Sequence, residues 1–70
     1  DGVEAAEAWE IAADHCEGPL SLIFARQAVP RLRTDASGEN LTRRGAYVLL
    51  EADGTRDVTL LATGSEVALA

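Results

Sequence analysis

The run Leu20-Ser21-Leu22-Ile23-Phe24, leading into Ala25 and halted by Arg26-Gln27, constrains this chain more than any other stretch. Its apolar residues do not alternate with polar ones, so a strand with one wet face does not fit, and the pattern predicts a strand buried on both faces. Arg26 then sits where the strand leaves the sheet. Ligands of open α/β sheets collect beyond the carboxyl ends of the strands, so a guanidinium held there is placed to bind an anion. The plainer role is to cap the sheet or pair with a local acid. Val29-Pro30 closes the stretch, because proline has no amide donor and forces the residue before it into an extended conformation.

Ahead of that strand, residues 1–16 predict an amphipathic helix. Asp1 is a capping residue, Glu4 three positions on completes a capping box, and acids in the first turn suit the positive end of the helix dipole. At about 100° per residue, Ala5, Ala6, Ala8, Trp9, Ala12, Ala13 and Cys16 share one face while Glu7, Glu10, Asp14 and Glu17 share the other. The alanines let the helix lie close on a sheet, with Trp9 packed against Leu22 or Phe24. The acidic face is expected to be solvated. His15 is placed to meet the terminal carbonyls, and Gly18-Pro19 ends the helix.

Beyond Leu32 the character changes. Arg33 to Gly45 is polar and has no apolar period, which predicts a surface linker. Ala46 to Leu50 and Val58 to Ala62 are short apolar runs on either side of an Asp53-Gly54 turn and predict two strands. Thr63-Gly64-Ser65-Glu66 follows, with Ser65 as the expected N-cap of a helix. Strand, glycine turn and helix start also outline a phosphate cradle, although no P-loop lysine accompanies them. The elements predict an α/β fold in pieces: three-layer α/β/α portions of two adjacent domains joined by a linker.

Composition excludes several classes. The net charge of −6 arises in the first 17 residues, where six acids stand without an arginine or lysine; the other six acids are matched by six arginines. Such an acidic segment repels phosphate backbones and argues against nucleic-acid binding. Cys16 is the only cysteine and His15 the only histidine, so no disulfide framework and no cluster with metal-ligand spacing is expected. No stretch has the length and apolarity of a membrane span or the pattern of a signal peptide, so the expectation is an intracellular protein that does not engage a membrane.

Three runs together carry a resemblance: Phe24-Ala25-Arg26-Gln27-Ala28-Val29-Pro30-Arg31-Leu32, then Arg44-Gly45-Ala46-Tyr47-Val48-Leu49, then Ala62-Thr63-Gly64-Ser65-Glu66-Val67. They resemble transketolases, in which a buried strand ends in S-R-Q-N-L-P, a linker leads to K-G-G/A-Y-V-L, and the next domain opens with a strand followed by A-T-G-S-E-V. Asp1-Gly2-Val3-Glu4 is similar to the family's D-x-x-E before an alanine-rich helix, and Gly18-Pro19 to the G-P before the strand. The resemblance implies that residues 1–36 end a pyrimidine-binding domain, and that residues 37–70 form a linker and the start of the C-terminal domain.

The resemblance further implies transfer of a two-carbon ketol unit between sugar phosphates, with thiamine diphosphate and a divalent metal, magnesium or calcium, as cofactors. It implies a cytoplasmic homodimer as the parent protein. Arg26 matches the family arginine that binds the substrate phosphate; the family's neighbouring serine and asparagine are Ala25 and Ala28 here, which removes their side-chain hydrogen bonds. The cofactor and metal motifs, the activating glutamate and the substrate-binding histidines of the family match no stretch of this chain, so no catalytic, cofactor or metal residue is expected in it. The alternatives are a related thiamine-diphosphate enzyme, of the deoxyxylulose-phosphate synthase or E1 beta type, and a small acidic interaction module without activity.

Overall fold

A computed structural model describes residues 1–34 and 38–70 of the chain. One α-helix, α1 (Gly2–Asp14), is followed by two single-turn 3₁₀ helices, a linker turn at Leu41–Arg44 and a tail turn at Gly64–Val67. The other described residues are bends, turns and coil.

The start of α1 is the one its sequence specifies. Asp1 Oδ1 accepts from the amides of Val3 and Glu4 at 3.0 and 3.3 Å, and Glu4 Oε2 reaches back to the Asp1 nitrogen at 2.7 Å, closing the capping box. The end comes slightly earlier than expected: His15 turns extended, and its amide closes on the Ala12 carbonyl at 3.2 Å. Gly18-Pro19 therefore lies beyond a helix that has already stopped.

No strand forms among the described residues, which corrects the α/β layers expected of this chain. Leu20 to Phe24, Ala46 to Leu50 and Val58 to Ala62 carry apolar sequence but join no strand ladder among the described residues. A strand exists as a member of a ladder, and a parallel ladder needs a crossover back to a neighbour in the same sheet. Apolarity specifies burial without supplying the partner. Ile23 and Leu61 are each 92% exposed.

The tail differs in a second respect. Thr63, with no side-chain hydrogen bond, occupies the position before the tail turn, and Gly64 takes φ 62° to open it. Ser65 lies inside the turn rather than capping it. The boundary expected after Ala36 lies outside the described residues.

Among the described residues, Val3 is the only hydrophobic side chain that is buried and Arg33 the only buried polar one. The accessible surface is 6011 Å², against about 4,200 Å² for a folded monomer of this mass. The radius of gyration is 13.7 Å, against about 11 Å for a compact domain of this length. Order is therefore concentrated where the linker turn meets α1.

Candidate functional site

The acidic edge of α1 gathers most of the side-chain hydrogen bonds. Glu4 and Glu7, three residues apart, project from neighbouring turns of one helix face. Glu7 Oε2 accepts from Arg33 Nη1 at 2.8 Å, from the Thr42 hydroxyl at 2.7 Å and from the Thr42 amide at 3.1 Å. Arg33 is buried, with its guanidinium carbon 5.4 Å from the centroid of the Tyr47 ring, within cation–π range. The Tyr47 hydroxyl in turn donates to Glu4 Oε1 at 2.5 Å.

Asp1 performs two tasks with one carboxylate. While Oδ1 caps the helix, Oδ2 accepts from the backbone amides of Leu32 and Arg33, both at 2.8 Å. Asn40 adds a further tie: its amide nitrogen donates to the Glu7 carbonyl at 3.0 Å and to Glu10, and its oxygen accepts from the Arg43 amide, which caps the linker turn. At the far end of α1 the exposed pair Arg43–Asp14 spans 2.5 Å. Of the face expected to be solvated, Glu7 is covered by Arg33 and Thr42, while Glu10 and Asp14 stay exposed and accept hydrogen bonds at the surface. Five of the six acids, Asp1, Glu4, Glu7, Glu10 and Asp14, form a line of acceptors, and residues between Leu32 and Tyr47 supply the donors.

Electrostatics makes this cluster a clasp rather than a proton carrier. The Arg33 hydrogen bond, against the cost of burial and with help from Thr42, holds the Glu7 carboxyl down at about 2. Glu7 correspondingly raises Arg33 further above its usual range. Burial, and then the hydrogen bond to Glu4, pushes the Tyr47 phenol up. A general acid or base works best with a pKa near the operating pH, and these shifts move each group away from neutrality.

Arg26 lies apart from the cluster. It is exposed on a bend directly after Phe24 and Ala25, and it makes no hydrogen bond or ion pair among the described residues. Phe24 rests beside Trp9, with ring centroids 6.4 Å apart and planes tilted by 35°. That contact matches one of the two neighbours expected of Trp9. The expected burial does not follow, since Trp9 is 63% exposed. With no sheet behind it, Phe24 covers only one side of the indole.

Along its whole length the chain is 56% identical to a transketolase of Cereibacter sphaeroides, 53% to one of Sinorhizobium medicae and 50% to one of Rhodobacter capsulatus. The chain is a piece of transketolase-family sequence. It spans 10% of the length of each of these relatives. No protein-family model and no solved structure matches it.

Among the described residues no three His, Cys, Asp or Glu side chains converge as a metal site. The cleft between Asp1, Glu4, Pro30, Tyr47 and Ser65 encloses about 20 Å³, enough for a water and far too little for a diphosphate. Gly64 and Ser65 do border that cleft, but the cradle outline ends in a single four-residue turn. No helix among the described residues is long and apolar enough to cross a membrane.

Nothing in the linear sequence marked Glu7, Arg33, Thr42 or Tyr47 as partners. The available signal was Glu7 itself, an acid with no lysine or arginine within four residues on either side. A basic linker following an all-acidic helix is the pattern that could have suggested docking.

Proposed function

We propose that this segment belongs to a transketolase that moves a two-carbon ketol unit from a ketose phosphate to an aldose phosphate, and that Arg26 binds the substrate phosphate. The observation that carries this reading is the identity of 50–56% with three transketolases across the entire chain. The exposure of Arg26 supports the role assigned to it. A guanidinium not engaged by a neighbouring carboxylate keeps its planar fork available for two phosphate oxygens.

Thiamine diphosphate with magnesium or calcium supplies the carbanion stabilisation of that reaction, from segments other than this one. The part played here is substrate placement. Residues 1–36 end the pyrimidine-binding domain and residues 37–70 begin the C-terminal domain, within a cytoplasmic homodimer. The test is Arg26→Ala in the full-length enzyme, assayed with a phosphorylated and an unphosphorylated ketose donor. Loss confined to the phosphorylated donor is expected; equal losses return Arg26 to the role of capping an apolar run.

A further inference from the structure

Resting on the phosphate-binding reading of Arg26, we propose that α1 is the frame that positions it, because the segment carrying Arg26 is fastened to α1 at both ends. On one side of Arg26, Phe24 lies against Trp9, 6.4 Å between ring centroids. On the other side, the Leu32 and Arg33 amides bond Asp1 Oδ2 and the Arg33 side chain bonds Glu7 Oε2, each at 2.8 Å. Between the two fastenings the chain bends at Arg26-Gln27, and residues 25–28 are exposed to solvent. The second fastening is itself braced, since Arg31 Nε and Nη2 donate to the carbonyls of Arg33 and Thr34 at 2.9 and 3.1 Å, and within the span proline fixes Val29-Pro30.

A segment held to one helix at two points, Trp9 on one side and Asp1 and Glu7 on the other, has few ways to move its middle, so the guanidinium loses little freedom when a phosphate arrives. Glu7, Arg33 and Phe24 are then positioning residues. None of them touches substrate.

The experiment is a mutant cycle in the full-length enzyme. Glu7→Gln keeps the shape of the acceptor and removes its charge. KM for the phosphorylated donor is expected to rise roughly three- to tenfold, with the unphosphorylated donor unaffected and little further rise when Glu7→Gln is added to Arg26→Ala. Arg33→Lys, which keeps the charge, should raise KM less than Arg33→Met. Phe24→Leu loosens the other fastening and carries the same expectation should Glu7→Gln not fold.

Two results overturn the proposal while leaving the phosphate reading of Arg26 intact. One is a Glu7→Gln effect equal for both donors; the other is an effect that adds in full to that of Arg26→Ala. If Arg26→Ala itself spares the phosphorylated donor, the phosphate reading falls and the positioning role falls with it.

Discussion

Arg33 Nη1 donates to Glu7 Oε2 at 2.8 Å across 26 positions of sequence, and with that bond the acidic edge of α1 becomes its docking edge. Asp1, Glu4, Glu10 and Asp14 each accept a further hydrogen bond from a residue between Leu32 and Tyr47. The alanine and tryptophan side of the helix, which by pattern should face a sheet, looks partly to solvent. Charge complementarity needs only the linker that follows; apolar burial needs strands in register. The described residues have the first and lack the second.

The clasp should release in acid. Glu7 ordinarily titrates near 4.5 and is held at about 2 when Arg33 and Thr42 are bonded to it. A carboxylate with a depressed folded-state pKa contributes stability that is fully present above 4.5 and is lost as pH falls toward 2. Hydrogen exchange of α1 and the linker turn in the full-length enzyme, corrected for the intrinsic pH dependence, is therefore expected to quicken below pH 4.5. Glu7→Gln should remove that acid-dependent increment while exchanging faster than wild type at neutral pH. An identical pH profile in the two proteins would show that Glu7 does not fasten the linker.

Asp1→Ala removes two kinds of bond with one carboxylate. The N-cap alone contributes about 0.5 to 2 kcal/mol, and the amides of Leu32 and Arg33 lose their acceptor as well. Asp1→Asn retains a capping oxygen but presents an amide group where Oδ2 had accepted both amides. Hence both variants should loosen residues 32 and 33, and only the alanine should also loosen the first turn of α1. Peptide-resolved hydrogen exchange separates the two; equal loosening of the first turn in both variants would assign Oδ1 no special capping role.

Local chemistry was legible in the sequence where it is self-contained. Asp1 and Glu4 announce the helix start because both partners of the capping box lie within four residues. Gly45, with φ 77° at the end of the linker turn, was legible as part of a polar linker but not as the end of a docked element. Leu20 to Phe24 announced a buried strand because apolar runs mean burial, yet its ladder requires residues that the run cannot specify. Arg33 was assigned to the linker for its polarity. Its partner Glu7 is invisible to any local rule, since neither helical spacing nor strand alternation connects positions 26 apart. Arg26 is singled out by family resemblance and by the abrupt end of the apolar run, not by any contact, and its phosphate role is a proposal.

The 70-residue chain by itself should not fold cooperatively. Ile23, Leu50, Leu61 and Leu69 are each at least 90% exposed, and the one buried hydrophobic side chain among the described residues is Val3. With one cysteine the chain cannot form an internal disulfide, and among the described residues no cluster of metal ligands compensates for so small a core. Calorimetry of a monomeric sample should show no two-state transition. Trp9, the only tryptophan, should be quenched by acrylamide nearly as readily as a free indole. Trp9→Ala should then cost the isolated chain far less than the roughly 3 to 5 kcal/mol typical of a fully buried tryptophan. A sharp calorimetric peak, or a strongly shielded Trp9, would mean that the apolar runs find partners within the chain after all.

Arg26 gives the most direct functional prediction. If its guanidinium holds the substrate phosphate, Arg26→Ala removes a charge-assisted contact, a loss of roughly 10- to 150-fold in kcat/KM for the full-length enzyme. The loss should appear mainly in KM. The phosphate lies remote from the bond being broken, so the contact is made equally in the ground and transition states, and uniform binding of that kind leaves kcat nearly unchanged. Arg26→Lys should recover part of the loss, because an ammonium restores the charge but not the fork that meets two oxygens at once. Raising the ionic strength should weaken the lysine variant more than wild type, since a point charge depends on unscreened attraction while the fork keeps its hydrogen-bond geometry. Steady-state kinetics with phosphorylated and unphosphorylated donors at two salt concentrations measures all three effects. A fall in kcat with KM unchanged would assign Arg26 a role in the transition state instead of a grip on the phosphate.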